Sequence, residues 1–299
     1  MSFAARLDDL VRPIAPAERL AAVRLLVGTF ALIYLLVRLG SFASVATHDA
    51  GDFAPAGPAR LLSGPIPAWG VYGAVALTLA FGVTFLVGWR FKITGPLYAA
   101  SLISVLAYRN SFGMIFHTEN LMVMHVAILA LSDSAAAYSL DAKREGATPE
   151  PARRYGFALQ WLGVVTAVAY VLAGVAKLRV SGLGWAGGEI LRNHIVYDNL
   201  RKHLLGDSFS PLGAWTARHT WLFPPLAVLT LIFELGAPIA LLRGRIAKAW
   251  ALVAWSFHVG VLALMWILFP YQLFFIAFAS FFEPEKLVER VRAWRRART

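Results

Sequence analysis

The sequence has no cysteine and few charged residues for its length. Of its 299 residues, 15% are Asp, Glu, Lys or Arg, whereas a soluble domain carries about 25%. Without cysteine, the chain forms no disulfide, binds no metal through thiolates and has no cysteine nucleophile. The low charge indicates that much of the protein surface contacts lipid rather than water.

Apolar and aromatic residues take the place of the missing charges. The chain is 59% hydrophobic, has a mean hydropathy of +0.63, and contains 20 Phe, 10 Trp and 9 Tyr. This composition predicts an all-α fold, a polytopic membrane helix bundle with aromatic belts at the interfaces. The net charge of +11 does not indicate nucleic-acid binding, because the basic residues form short clusters between apolar runs.

Eight apolar runs predict about eight transmembrane helices in a single membrane domain, 1–299. A spanning helix needs about 20 predominantly apolar residues. Only Pro270 divides the run 246–283, so one long tilted helix is the alternative to the last two spans. The predicted spans are 20–40, 68–89, 94–109, 114–132, 155–176, 221–242, 246–268 and 270–283.

The positions of the basic residues predict the orientation in the cell membrane. Arg and Lys flank alternate runs, which places both termini in the cytoplasm by the positive-inside rule. Residues 1–19 are then a cytoplasmic amphipathic segment without the features of a cleavable signal, and 284–299 form a basic cytoplasmic tail. The long segment 177–220 becomes an extracytoplasmic loop.

This loop is predicted to contain a helix at the membrane surface. After the glycines of the loop, apolar residues recur with helical spacing from Ile190 to Tyr197. Such a helix would cap a cavity between the spans.

Ionisable residues inside spans are costly to insert and are therefore candidates for function. Glu234 and His258 fall near the middle of the sixth and seventh predicted spans, which are antiparallel neighbours. The two side chains are expected to meet, either as a pair that transfers a proton or as a structural hydrogen bond between helices. Arg24 and Arg38 are expected to extend to water from the ends of the first span.

A second group of polar residues is predicted on the outer side. Lys177 ends the fifth span and either extends to water or lies in a pocket where it acts as a base. His117 and Glu119 begin the fourth span, and His125 lies about two turns deeper. The spacing of these histidines does not match a metal-binding helix, so no metal is expected. Together these residues predict an outward-opening polar cavity.

Several segments resemble the membrane part of vitamin K-dependent gamma-glutamyl carboxylase and its bacterial relatives, the horizontally transferred transmembrane family. The lysine segment is Ala-Gly-Val-Ala-Lys-Leu at 173–178, followed by Trp185 and two glycines. The matching segments occur in the family's order and cover most of the chain: 24–28, 48–49, 110–117, 173–188, 233–238 and 257–258.

The resemblance implies a reduced quinone of the vitamin K type as cofactor and Lys177 as the base that deprotonates it. It implies an assisting role for His117 and an extracytoplasmic site. Glu234 and His258 would then be a proton pair. We expect three further residues near the cofactor: Trp185, Glu119 and His125. The carboxylase has a large lumenal region that this sequence lacks, so substrate identity does not carry over.

Two functions follow from the sequence. One is a carboxylase-like or quinol-using membrane oxidoreductase. The other is a non-catalytic membrane protein that binds lipid, or a protein partner in or outside the membrane. A transporter is disfavoured, because the sequence has no internal repeat and no matched pair of broken helices.

Overall fold

We analysed a computed structural model, which describes residues 8–113, 119–146 and 149–296. Across these ranges the fold is all-helical, as predicted, with no strand and a single isolated bridge between Ala15 and Ala152. The α-helices are α1 (Ala17–Val37), α2 (Leu39–Val45), α3 (Ala68–Val87), α4 (Phe91–Arg109), α5 (Asn120–Ala130), α6 (Leu140–Glu145), α7 (Arg153–Ser181), α8 (Glu189–Leu204), α9 (Pro211–Thr216), α10 (Phe223–Leu235), α11 (Gly244–Met265), α12 (Pro270–Leu273) and α13 (Glu285–Arg296).

Short 3-10 helices connect many of these elements. They are Ala50–Asp52, Gly57–Leu61, Gly182–Gly187, Thr220–Leu222, Ala237–Leu242 and Ile276–Phe281.

Five helices are long and apolar enough to cross a membrane, as expected of a membrane protein. They are Ala17–Val37, Ala68–Val87, Phe91–Arg109, Arg153–Gly187 and Gly244–Met265. Two shorter apolar helices are Asn120–Ala130 and Thr220–Leu235.

The region 246–283 is neither one long helix nor two regular spans. α11 ends at Met265, because Trp266 adopts a left-handed backbone with φ of 54°. Pro270 then starts α12, which ends after four residues, and Phe275 is left-handed as well. The continuous eighth helix predicted over 270–283 is therefore wrong. Its place is taken by α12 and the 3-10 helix Ile276–Phe281.

The chain folds as two compact units. The first contains the described residues up to 162 together with those from 283 onward, and the second contains 163–282.

Arg24 organises the interior of the first unit. Its side chain is fully buried and donates to the carbonyls of Phe85, Leu86, Ser134 and Tyr138 at 2.6 to 3.0 Å. Extension of Arg24 to water is therefore a wrong prediction. The guanidinium instead satisfies carbonyls left open where α3 ends and where the chain turns after α5.

Hydrogen bonds gather separate segments at one end of the first unit. The Asp141 carboxylate accepts from the backbone N–H groups of Arg90 and Phe91 at 3.0 and 2.7 Å, and so caps α4. At this same end Arg19, near the start of α1, bonds Glu285 at 2.8 Å.

The opposite end of α4 contacts the loop before α3. The Ala54 N–H donates to the Ser111 carbonyl at 2.7 Å. The Ile66 N–H donates to the Tyr108 hydroxyl at 3.1 Å. The loop 46–67 is thereby held against the end of α4.

Close approach of α7 and α10 defines the centre of the second unit. Gly174 allows it, because a Cβ atom there would lie 2.9 Å from Leu235 Cδ2 and 3.2 Å from Glu234 Cβ. α8 is fixed to the end of α11 by Asn199, whose Nδ2 donates to the Leu264 carbonyl at 2.9 Å.

Candidate functional site

One face of α7 supplies the polar residues of the candidate site. Tyr170, Gly174 and Lys177 are spaced at i, i+4 and i+7, so they lie in one row along the helix. The small residue in the middle lets α10 approach between the two polar side chains.

Lys177 forms an ion pair with Glu234. Its Nζ lies 2.5 Å from Oε1 and 2.7 Å from Oε2, so the ammonium contacts both oxygens of the carboxylate. The Glu234 side chain is 2% exposed, whereas that of Lys177 is 20% exposed. The carboxylate is therefore enclosed by the protein, whereas part of the lysine side chain is exposed.

Trp185 covers the pair. The Lys177 ammonium lies 5.3 Å from the centre of the indole ring, within the range of a cation–π contact. The indole N–H donates to the Thr230 hydroxyl at 3.3 Å, which orients the ring. Trp185 is buried against Ala227 and Leu231 of α10.

His258 does not bind Glu234 but Tyr170. Its Nε2 lies 2.8 Å from the Tyr170 hydroxyl, and both side chains are buried. The predicted Glu234–His258 pair is therefore not formed. Both residues find their partners on α7, whose row of Tyr170, Gly174 and Lys177 lies against α10.

His258 also carries an unsatisfied nitrogen. Within the part of the chain that the structure describes, its buried Nδ1 has no hydrogen-bond partner. The ring contacts Phe257 and Phe269, with centroids 5.2 and 5.0 Å away. A buried polar atom without a partner is uncommon, and this nitrogen is one of several such atoms among the described residues.

Aromatic rings connect the two hydrogen-bonded pairs. The Tyr170 ring lies 5.1 Å from those of both Phe233 and Trp250. Phe233 directly precedes Glu234, and its carbonyl accepts from the Trp250 indole at 3.3 Å. This packing fixes α7, α10 and α11 around the site.

The remaining predicted residues belong to the first unit or lie outside the description. Glu119 is buried and paired with Arg109. His125 is buried on α5. His117 lies outside the described residues. Among those described, no three His, Asp or Glu residues are arranged to hold a metal ion.

Sequence reasoning missed Tyr170 and Thr230. The spacing of Tyr170, Gly174 and Lys177 is a signal that could have identified the tyrosine, because it places a small residue between two polar ones on one helix face. Thr230 has no comparable signal, because its role depends on the position of Trp185.

No family model, curated protein or solved structure matches the chain.

Proposed function

We propose that the chain is a carboxylase-like membrane protein that binds a reduced quinone and accepts a proton from it at the Lys177–Glu234 pair. The observation that carries this proposal is the geometry of the pair. A lysine that is 20% exposed contacts both oxygens of a glutamate that is 2% exposed.

The proposed role requires a form of the pair in which Glu234 holds the proton. Burial penalises the two charges, so transfer of one proton from Lys177 Nζ to Glu234 gives a neutral amine and a neutral carboxyl. The neutral amine is a base and takes a proton on its open side, while Glu234 holds the proton that it received. Lysine suits this role because it can lose its proton, whereas arginine does not.

The proposed quinone would lie beside the Lys177–Glu234 pair. When bound, a reduced quinone would supply an acidic hydroxyl and two electrons, which molecular oxygen would accept. Trp185 offers an aromatic face beside Lys177. The buried Nδ1 of His258 offers one more polar atom within the same unit. We therefore assign Lys177 as the base, Glu234 as its proton partner, and Trp185 and His258 as binding residues.

We further propose about eight membrane crossings, with both termini in the cytoplasm of a cell-membrane protein. The bonds from Asp141 to the start of α4, and from Arg19 to Glu285, support this proposal. They join at one end of the first unit the segments that carry the predicted inner charges. The eighth crossing would be the irregular segment 270–283, which buries Tyr271 and Phe278. Irregular backbone is tolerated at membrane depth where protein surrounds it.

The absence of cysteine allows a direct test of this orientation. A Ser208→Cys variant should react in intact cells with a maleimide that does not cross the membrane. A Lys286→Cys variant should react only after permeabilisation. Labelling of Lys286→Cys in intact cells would refute the proposed orientation.

The function is tested by quinol-dependent oxygen uptake. The protein would be reconstituted in lipid nanodiscs with a reduced menaquinone analogue. Lys177→Ala should lower the rate about 10²- to 10⁴-fold, the range for loss of a general base. The matched control is Lys202→Ala, because Lys202 is also paired with a carboxylate in the second unit, at 2.7 Å from Asp198.

An unchanged rate in Lys177→Ala would exclude Lys177 as the base. Native mass spectrometry of the purified protein should detect a retained quinone. A retained phospholipid with no quinone, and no quinol-dependent uptake, would favour the non-catalytic lipid-binding alternative.

A further inference from the structure

The first unit contains an apolar cavity that the proposed quinone chemistry does not use. Its volume is about 280 Å³. It lies where α2, the start of α3 and the end of α4 meet the loop 58–66. The walls include Phe42, Ala59, Val71, Ala74, Ser104 and Tyr108.

The polar groups in the cavity wall are already hydrogen bonded. The Tyr108 hydroxyl binds the backbone of Ile66, accepting from its N–H at 3.1 Å. The Ser104 hydroxyl donates to the Ala100 carbonyl at 2.8 Å. The cavity therefore offers an occupant mainly apolar surface, which suits a hydrocarbon chain.

The size of the cavity fits part of one chain. A methylene group occupies about the volume of a water molecule, ~30 Å³. The space therefore accommodates several methylene groups but no large head group. Leu61 and Leu62 line it from the loop, and Leu61 is 90% exposed. The cavity is thus rimmed by apolar side chains that a lipid molecule can cover.

A cationic residue belongs to the loop that lines the cavity. Arg60 is exposed and lies between two lining residues, Ala59 and Leu61. Its Nε donates to the Pro55 carbonyl at 3.4 Å. It forms no ion pair with any residue that the structure describes. Its charge is therefore available to an anionic group outside the cavity.

We infer that this cavity holds one acyl chain of an anionic phospholipid whose head group lies at Arg60. The bilayer interior is as apolar as the cavity, so burial of an acyl chain alone gives little selectivity for one lipid over another. Packing in the cavity fixes the position of the lipid, and the charge of Arg60 selects the anionic head group.

Photolabelling in nanodiscs tests the chain site. The probes are phosphatidylglycerol and phosphatidylcholine, each with a diazirine in one acyl chain. The wild type should be labelled in peptides that contain 58–75 or 104–108. Ala74→Phe and Ser104→Phe fill the cavity from opposite walls, and either variant should lower this labelling about fivefold or more.

Ala76→Phe is the matched control, because Ala76 is exposed on the same helix but does not line the cavity. It should be labelled like the wild type. Wild-type labelling in both cavity-filling variants, each shown to be folded by its elution as a single species, would overturn the chain site.

Arg60→Gln tests the head group. The wild type should prefer the phosphatidylglycerol probe over the phosphatidylcholine probe, and Arg60→Gln should reduce that preference about two- to fivefold. The control is Arg38→Gln, which removes another exposed arginine of the first unit. This variant should keep the wild-type preference for the phosphatidylglycerol probe. A preference that survives Arg60→Gln would overturn the assignment of Arg60. Neither result depends on the quinone site, because neither assay contains a quinone.

Discussion

Each unit contains an ion pair around a buried glutamate, Glu119 in the first and Glu234 in the second, and these two pairs differ in their cation. In the first unit Arg109 pairs with Glu119, and the two side chains are 3% and 1% exposed. In the second unit Lys177 pairs with Glu234, and its side chain is 20% exposed. Asn110 strengthens the first pair by donating to Glu119 at 3.3 Å.

This difference separates a structural pair from one suited to proton transfer. Arginine stays protonated in proteins and offers a rigid array of donors, so the Arg109 pair holds a fixed charge between elements of the first unit. Lysine can lose its proton, and the Lys177 side chain is partly exposed. The Lys177 pair therefore has the titratable cation that the proposed function requires, whereas the Arg109 pair does not.

The largest expected effect is loss of stability in Arg109→Ala. This substitution leaves the buried Glu119 without its cation, which costs about 3–5 kcal/mol. We expect a strongly lowered unfolding temperature, or no folded protein, in thermal unfolding of detergent-purified samples. Arg38→Ala, which removes an exposed arginine, is the control. An unfolding temperature equal to that of the wild type would show that the Arg109 pair is not structural.

Exchanging the cations sharpens the comparison. Lys177→Arg keeps a positive charge beside Glu234 but removes the titratable amine. We expect stability within about 1 kcal/mol of wild type and a rate of quinol-dependent uptake about 10²- to 10⁴-fold lower.

The reciprocal exchange, Arg109→Lys, should leave quinol-dependent uptake intact in the protein that folds. If Lys177→Arg retained the wild-type rate, the cation would act only through its charge.

Removing both charges of the Lys177–Glu234 pair separates its effect on stability from its effect on activity. Lys177→Met alone leaves Glu234 unpaired, whereas Lys177→Met with Glu234→Gln leaves no charge in the site. We expect the double variant to be more stable than the single one by about 0.5–3 kcal/mol. Both variants should be inactive. Chemical unfolding measures the first expectation, and equal stabilities would mean that the pair is not desolvated.

The smallest expected effect concerns the aromatic covers of the two cations. Trp185→Phe weakens the cation–π contact with Lys177 and removes the hydrogen bond to Thr230. We expect a cost of about 1 kcal/mol and a weaker affinity for the quinone. Phe42→Leu is the comparison, because Arg109 lies 5.9 Å from the Phe42 ring centre. It should leave quinone affinity unchanged.

The sequence predicted the long helices well. α1, α3, α4, α7 and α11 all lie on predicted spans and differ by a few residues at their ends. An apolar run of this length favours a helix, because a helix satisfies the hydrogen bonds of its own backbone without water. The helix predicted after Pro270 was wrong because this segment does not form a continuous helix. Its irregular backbone depends on burial of residues such as Ala277 and Phe278.

The predicted site was only partly a set of neighbouring residues, because Glu119 and His125 lie in the first unit, and its bonds were not predicted. Lys177, Glu234, Trp185 and His258 all lie in the second unit, yet Glu234 was assigned to the wrong partner. Pairing depends on which faces of α7 and α10 meet, and Gly174 determines that contact. A glycine in an apolar run does not by itself identify the helix that will approach it.

The acceptors of the buried Arg24 guanidinium are synthesised well after Arg24 itself. One of its acceptors, the Ser134 carbonyl, is 110 residues further along the chain. At ribosomal speeds of about 5–20 residues per second, roughly 6–22 s pass between synthesis of the donor and of that acceptor. During that interval the arginine must keep its contact with water or with the insertion machinery. The Arg24 side chain therefore gains its full set of acceptors only after the chain beyond α5 has been synthesised.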